Sequence, residues 1–472
     1  MAKESTVFIG KDVNRDAVLQ FIKMSKENKT DIHSFEIIQN GEVKVKFAPA
    51  PYSFEYKQQL YSMSKSFTST AIGILSDGGK LNIEDKLTDI FPEYCPENIG
   101  ENAAKIRIKH LLSMNTGHVQ CVLGDVRSAK EPVRAFLSIE PEFEPGTHFC
   151  YNNAATYMLS KIVSKVSGMT VFDFLSARLF APLGIEGAYW DAFDDGCSQG
   201  AVGLHASTED IAKLGVLYLG GGVYDGKRLL SEEWVKTAST KHSDNSDNGS
   251  PDWTAGYGFQ FWRNSRGGYR GDGAFGQFCL ILPEKNTVFA MEALVCDMQK
   301  ELDTAFELLE VLYGGSKAGT DEIKKLADEY NTPAKYSAAA CGAFSERTYI
   351  CDKNRFGITQ MKFRDKADKI ELIFSDGVMW QTMSFGKDKF CENRVTVRKM
   401  KPTLEGLAGH GRKEDMHFAA YCTWQGDGLH LYMNYLDNPH TDDYVCTFGG
   451  EKCTMKRAEN ADFAYNETIF FK

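Results

Sequence analysis

Nowhere in the 472 residues is there an apolar run long enough to cross a membrane. The amino-terminal stretch Met1-Ala2-Lys3-Glu4-Ser5-Thr6 lacks the apolar core of a secretory signal. These two absences lead to the expectation of a cytoplasmic protein. No block of Lys and Arg stands out, and the net charge is −10, which argues against nucleic acid and anionic membranes as partners. The twelve cysteines include no Cys-x-x-Cys pair, so in a cytoplasmic chain they are expected to be free thiols, many of them buried. His410, His417, His430 and His440 share no ligand spacing with acidic or Cys partners, so neither a metal nor a cofactor is expected. Internal repeats and low-complexity tracts are also missing.

What is present is ordinary globular composition, 43% hydrophobic and 25% charged, in a chain longer than one core usually serves. Two domains are expected. Ala17, Val18, Phe21 and Ile22 predict a first helix. Asn40-Gly41, between strand-like segments at 34–39 and 42–47, predicts a hairpin. Residues 80–190 read as mostly helix and loop. Met158, Leu159, Ile162, Val163 and Val166 form one helical stripe that Gly168 ends. Ser207 to Asp210 reads as a capping box, and Ser231 as another helix cap. Strands are predicted at 257–262, 276–282 and 287–294, before a closing helix through Leu302, Phe306, Leu309 and Val311. Strands at both ends of this region, with a helical insertion between them, point to an α/β (α+β) fold with one antiparallel sheet flanked by helices. The domain is expected to span residues 1–315. Residues 316–337 read as a linker with a short helix. Residues 338–472 carry short strand-like segments separated by Gly, Asn and Asp, the pattern of an all-β barrel or sandwich.

The chemistry concentrates in Ser62-Met63-Ser64-Lys65, just ahead of a predicted helix carrying Phe67, Ala71, Ile72 and Leu75, with Gly78-Gly79 as its stop. A serine three residues before a lysine at a helix start shares one face with it, one turn apart. The amine can take the hydroxyl proton, and the helix dipole favours negative charge developing at that end, which makes Ser62 a candidate nucleophile. A second copy, Ser384-Phe385-Gly386-Lys387, lies in a strand-like stretch with no helix to align its groups. A second candidate stretch is Glu144-Pro145-Gly146 leading to Tyr151-Asn152-Asn153, between a turn and a helix. A phenolate at Tyr151 near a lysine can act as general base, and the Asn153 amide can bind a substrate carbonyl or steady the lysine. His118 and His148 lie close by in sequence and read as structural.

Taken in order, these stretches resemble the serine β-lactamase and penicillin-binding-protein superfamily, closest to its class C and esterase-like branch. The resemblance rests on residues 61–68, on Gly79-Lys80-Leu81-Asn82-Ile83-Glu84-Asp85, on residues 106–117, on Glu144 to Asn153, on residues 179–184 and on residues 207–215, spanning roughly residues 15–313. It implies that Ser62 attacks an ester or amide carbonyl, that Lys65 and Tyr151 share proton transfer, and that water releases the acyl group. The backbone N–H of Ser62 would supply half of an oxyanion hole. The superfamily's third motif, a Lys or His, a small residue and Gly, finds its counterpart in Tyr269 to Gln277. If Gly273 is the motif glycine, Gly271 stands where the cation is expected. The N–H of Ala274 would be the second oxyanion donor. Asp272 would repel a substrate carboxylate unless Arg270 points inward to compensate. Trp253, Tyr257, Trp262 and Phe275 flank this region as candidates for an apolar acyl pocket. The expectation is an esterase or amidase for neutral or amine-bearing small molecules, with weak or absent β-lactamase activity. The alternatives are a non-catalytic or β-lactam-sensing protein of the same fold. The C-terminal unit is expected to shape substrate access or to mediate homodimer formation.

Overall fold

The computed structural model describes residues 3–331, 335–336, 347–352, 358–397, 414–449, 452–457 and 468–471. The chain divides into two compact units: Ile9–Lys46 with Gln59–Gly315, and Met1–Phe8 with Phe47–Gln58 and Ser316–Lys472. The expected linker end at 337–338 lies outside the described residues.

In the first unit, helix α1 (Arg15–Glu27) leads into strands β1 (Asp31–Gln39) and β2 (Glu42–Ala48). Asn40 and Gly41, both at positive φ, make the tight turn between these strands. Helices α2 (Ser64–Asp77), α3 (Asn153–Ser167) and α4 (Thr208–Leu219) follow. The chain then returns through β3 (Trp262–Arg263), β4 (Tyr269–Gly273), β5 (Gln277–Leu282) and β6 (Thr287–Leu294) to helix α5 (Met298–Glu310). Among these strands the sheet order is β2-β1-β6-β5-β4-β3, with the short strand Thr6–Ile9 at the edge beside β2, so strands from both ends of the chain segment meet at the β1–β6 pair. Phe21 of α1 packs edge-on against Phe35 and Phe289 on one sheet face. On the other face, Gly215 of α4 lies so close to Val288 and Cys279 that a Cβ there would collide with both.

The expected caps are in place. Gly168 ends α3 in the left-handed region, and Ser207 with Asp210 forms a reciprocal capping box on α4. One expectation fails: residues 257–262 are not a strand, and only Trp262 joins the sheet. Gln260 sits at φ 64, which breaks an extended run, and its side chain is spent on other segments.

The second unit carries helix α6 (Thr320–Tyr330) and ten described strands. They are β7 (Thr348–Ile350), β8 (Gln360–Asp365), β9 (Lys369–Ser375), β10 (Trp380–Gly386), β11 (Cys391–Val397), β12 (Glu414–Gln425), β13 (Gly428–Tyr435), β14 (Thr441–Gly449), β15 (Lys452–Arg457) and β16 (Thr468–Phe471). Neighbouring strands pair in chain order except that β11 sits off the path against β12, and the whole makes a nearly closed barrel. Phe363, Leu372, Phe418, Cys422 and Leu431 are among its core residues. Among the described residues, no helix is long and apolar enough to cross a membrane.

Candidate active site

Ser62 lies in a single 3₁₀ turn, Tyr61–Met63, that runs directly into α2. Tyr61, just before it, is held at φ 45, an unfavourable conformation for an aromatic residue that the surrounding packing must stabilise. Lys65, one turn on, donates from Nζ to Ser62 Oγ at 2.9 Å and to the Ala201 carbonyl at 2.9 Å. The lysine is buried, and loss of water pulls its pKa from 10.5 down to about 7, against the opposing pull of Cys121 and Asp272. An amine in this state is available as a proton acceptor at neutral pH.

Helix α2 is buried on nearly every side, although half its turns carry hydroxyls. Four of these hydroxyls donate to fixed carbonyls: Ser66 Oγ to Gln260, Ser69 Oγ to Phe259, Thr68 Oγ1 to Gly200 and Thr70 Oγ1 to Ser66. Gln260 in turn donates to the Leu111 and Leu112 carbonyls and accepts from Thr156, which ties α3 to the same node. Satisfied buried polar groups of this kind hold one arrangement against alternatives, so the Ser62 turn is rigidly seated.

Tyr151 stands over Lys65, its ring centroid 4.8 Å from Nζ. Burial raises its phenol above the usual value and nearby Asp272 adds to the rise, while the Ser62 hydroxyl, within hydrogen-bonding reach, offsets only part of it. The phenol therefore keeps its proton where Lys65 is ready to lose one. Trp262 stacks on Tyr151 at 5.5 Å and Tyr257 meets it edge-on at 6.2 Å. Two of the aromatics singled out in the sequence thus form the wall behind Tyr151, and Trp253 lies against Trp262. Phe275 instead meets Tyr61 edge-on at 5.0 Å, and it too is held at positive φ, 70°.

Strand β4 lies flat on the Ser62 turn. A Cβ on Gly271 would strike Met63 Sδ and Ser66 Oγ, and one on Gly273 would strike the Leu60 carbonyl. No lysine or histidine fits at Gly271 in this packing. Arg270 and Asp272 alternate onto the opposite face, as strand geometry requires. Both are buried, and Arg270 Nε donates to Asp272 Oδ2 at 2.8 Å. Arg270 also donates to Asn264 Oδ1 at 3.1 Å and stacks over Trp253 at 4.6 Å. The outer strand β3 pairs only with Tyr269 and Arg270, so this edge of β4 is unpaired from Gly271 onward. Gln277 donates to the Ala274 and Ala293 carbonyls and fixes the turn that carries Ala274.

Asn153 and Asn152 divide the work expected of one asparagine. Asn152 caps α3, accepting from the backbone N–H of Ala154 at 3.0 Å and of Val122 at 3.2 Å. Asn153 Oδ1 is buried without a hydrogen-bond partner, and both bonds from Lys65 go to Ser62 and Ala201 rather than to it. Sequence reasoning missed the Ala201 carbonyl, which takes the second bond from Lys65, and the neighbouring Cys121, which contributes to the raised pKa of Tyr151 and Cys150. A backbone carbonyl carries no residue-type signal, and Cys121 comes near only through the fold. His118 bonds Thr116 at 2.9 Å and His148 stacks on Phe143 at 4.3 Å. The second Ser-x-x-Lys is on β10, where Lys387 pairs with Asp365 at 2.6 Å and Ser384 takes a bond from Lys369. His417 pairs with Glu392 and His430 with Asp443, while His410 lies outside the described residues. Among the described residues, no group of three or more His, Cys, Asp and Glu is placed to hold a metal ion.

The Beta-lactamase family model matches residues 34–294. The 6-aminohexanoate-dimer hydrolase of Paenarthrobacter ureafaciens is 26% identical over 290 residues, covering 56% of this chain and 72% of that one. Further curated relatives, β-lactamases among them, are matched over about a third of their length, 32% in Escherichia coli. The octameric penicillin-binding protein homologue of Pyrococcus abyssi shares the fold across both units, at 16% identity and TM-score 0.51, covering 97% of this chain and 99% of that one. A family VIII carboxylesterase shares the fold at 15% identity and TM-score 0.52, covering 65% of this chain and all of that one (100%).

Proposed function

The chain belongs to the Beta-lactamase family and is a serine hydrolase, and on that premise we propose that it cleaves a small ester or amide through an acyl-enzyme on Ser62. The observation that carries this reading is the 2.9 Å bond between a buried, weakly basic Lys65 and Ser62 Oγ. Lys65 takes the hydroxyl proton as Oγ bonds to the carbonyl carbon. The oxyanion that forms is received by the backbone N–H groups of Ser62 and Ala274. Tyr151, still protonated, hands a proton to the departing alcohol or amine and takes back the one held on Lys65, so both groups regain their starting states. Water then repeats the sequence on the acyl-enzyme, which frees the acid and restores Ser62. Asn153, with its Oδ1 unengaged, orients the substrate rather than the lysine.

Two features bear on the substrate. The 6-aminohexanoate-dimer hydrolase takes its name from an amide-linked dimer, and the carboxylesterase from ester cleavage, so both bond types are within reach of this fold. The β-lactam carboxylate finds no Lys or His at Gly271 and meets Asp272 beside it, which argues for weak β-lactamase activity. The missing cation also favours a second reading, a binding protein without turnover. Hydrolysis of p-nitrophenyl acetate and butyrate by wild type and Ser62→Ala, with a chromogenic cephalosporin alongside, tests the proposal. Ester turnover lost at least 10³-fold in the variant, on the scale expected when a catalytic nucleophile is removed, with little cephalosporin cleavage, supports it. Turnover that persists in Ser62→Ala contradicts it.

A further inference from the structure

Asp272 is an unusual residue to find beside a nucleophile that must attack a carbonyl, and its geometry gives it a use. Its Oδ2 takes the Arg270 bond, the carboxylate's one side-chain hydrogen bond among the described residues, and Oδ1 takes none. Arg270 is fully enclosed, whereas Asp272 keeps 7% of its surface open. Arg270 is held by Asn264, by the Arg263 carbonyl and by the faces of Trp253 and Trp262, with Nη2 buried without a partner, and it meets the carboxylate through Oδ2 alone. Asp272 sits between Gly271 and Gly273, which pack on Met63, Ser66 and Leu60 around the Ser62 turn, and its charge raises the pKa of Lys65, Tyr151 and Tyr257. Beside it the edge of β4 is unpaired from Gly271 onward, open to an extended substrate.

The charges facing Asp272 come from three other groups: Arg270, Lys65 and Asp252. Asp252 is engaged by the Ser265 N–H and by Gln299. Above about pH 7, where Lys65 gives up its proton, two carboxylates face one permanent cation, and the local balance is negative. A buried acceptor with a negative surplus and one free oxygen is matched by a cationic N–H donor and rejects an anion.

We infer that Asp272 is a specificity-determining residue of this hydrolase, its Oδ1 receiving the ammonium group of an amine-bearing ester or amide while Arg270 holds the carboxylate in register. The inference rests on the serine-hydrolase reading above. It is tested with three p-nitrophenyl esters of similar length: hexanoate (neutral), 6-aminohexanoate (cationic) and the adipate monoester (anionic). Wild type is expected to give the highest kcat/KM on the cationic ester and the lowest on the anionic one. In Asp272→Asn the cationic-to-neutral ratio is expected to fall at least tenfold. Equal loss on all three esters, or an unchanged ratio, overturns the inference. The substitution leaves the Arg270 cation buried without its counter-charge and can compromise folding, so a measurement on wild type stands beside it. Inhibition of hexanoate ester hydrolysis by n-butylammonium should require a lower concentration than inhibition by butyrate, and butyrate inhibiting as well or better overturns the inference. Ser62-dependent turnover without charge discrimination removes this inference alone. Absence of Ser62-dependent turnover removes it together with the hydrolase reading.

Discussion

At Lys65 a single side chain sets the pH behaviour of the molecule. Its pKa is depressed by burial, so the amine carries a proton below about pH 7 and cannot accept one from Ser62. Tyr151 moves the other way and stays a phenol over the working range. The kcat/KM for a neutral ester should therefore rise with pH, tenfold per unit below about 7, and level off above it. A steady-state profile from pH 5 to 9 checks this, and a limb centred near 10 would mean that the lysine keeps its ordinary basicity. The pairing of Ser62 with Lys65 was legible in the sequence because one helical turn separates them and an apolar helix follows. The Ser384 copy shows why that context was needed: on a strand, the same spacing sends Lys387 to Asp365 instead. That Asn152 rather than its neighbour Asn153 caps α3 was not legible, since adjacent asparagines at a helix start compete for the same role.

Among the elements, β4 is the one that most constrains the site. Gly271 and Gly273 let the strand lie against the Ser62 turn, with no room for a side chain at either position. Gly271→Ala places its Cβ against Met63 Sδ and Ser66 Oγ and must push the strand from α2. A cost of about 1–3 kcal/mol is expected for such overpacking. Thermal melting should shift downward, and ester turnover should fall with it as Ala274 moves from Ser62. An unchanged melting temperature and rate would mean that the strand does not pack on the turn as described. The alternation in Tyr269 to Gly273 fixed which residues share a face, but not which face meets the helix, so Arg270 had no assigned side until its partners were seen. The segment 257–262 misled for a different reason. Its aromatics have strand propensity, but Gln260 leaves the extended region to serve Leu111, Leu112 and Thr156.

The two units divide after Gly315, and also before Phe47 and after Gln58, where the sequence pattern does not change. Phe47–Gln58 belongs with Ser316–Lys472, although it lies between β2 and the Ser62 turn in the chain. Tyr52 and Tyr56 pack with Ala419 and Leu436, and Asn434 donates to the Tyr52 hydroxyl at 3.3 Å. A local pattern reveals that such a segment is apolar, not which core receives it. A chain cut after Gly315 keeps Ser62, Lys65 and Tyr151 but leaves these rings without cover, at about 1.5–3 kcal/mol for each large apolar side chain. Its soluble yield and its ester turnover per mole should both fall well below those of the full chain. A soluble fragment with full turnover would show that the second unit is dispensable. The overall class, a helix-flanked antiparallel sheet followed by a β barrel, was legible because periodicity changes from 3.6 to 2 near residue 340 and neither pattern conflicts with its surroundings.

The central claim is that Ser62 becomes acylated. The most direct test mixes the protein with excess p-nitrophenyl ester, quenches in acid within a turnover, and maps the added acyl mass by peptide mass spectrometry. The account predicts one acyl group on the peptide carrying Ser62, present in wild type and absent in Ser62→Ala. Acylation at another residue, or turnover in wild type that survives the loss of Ser62, would contradict it.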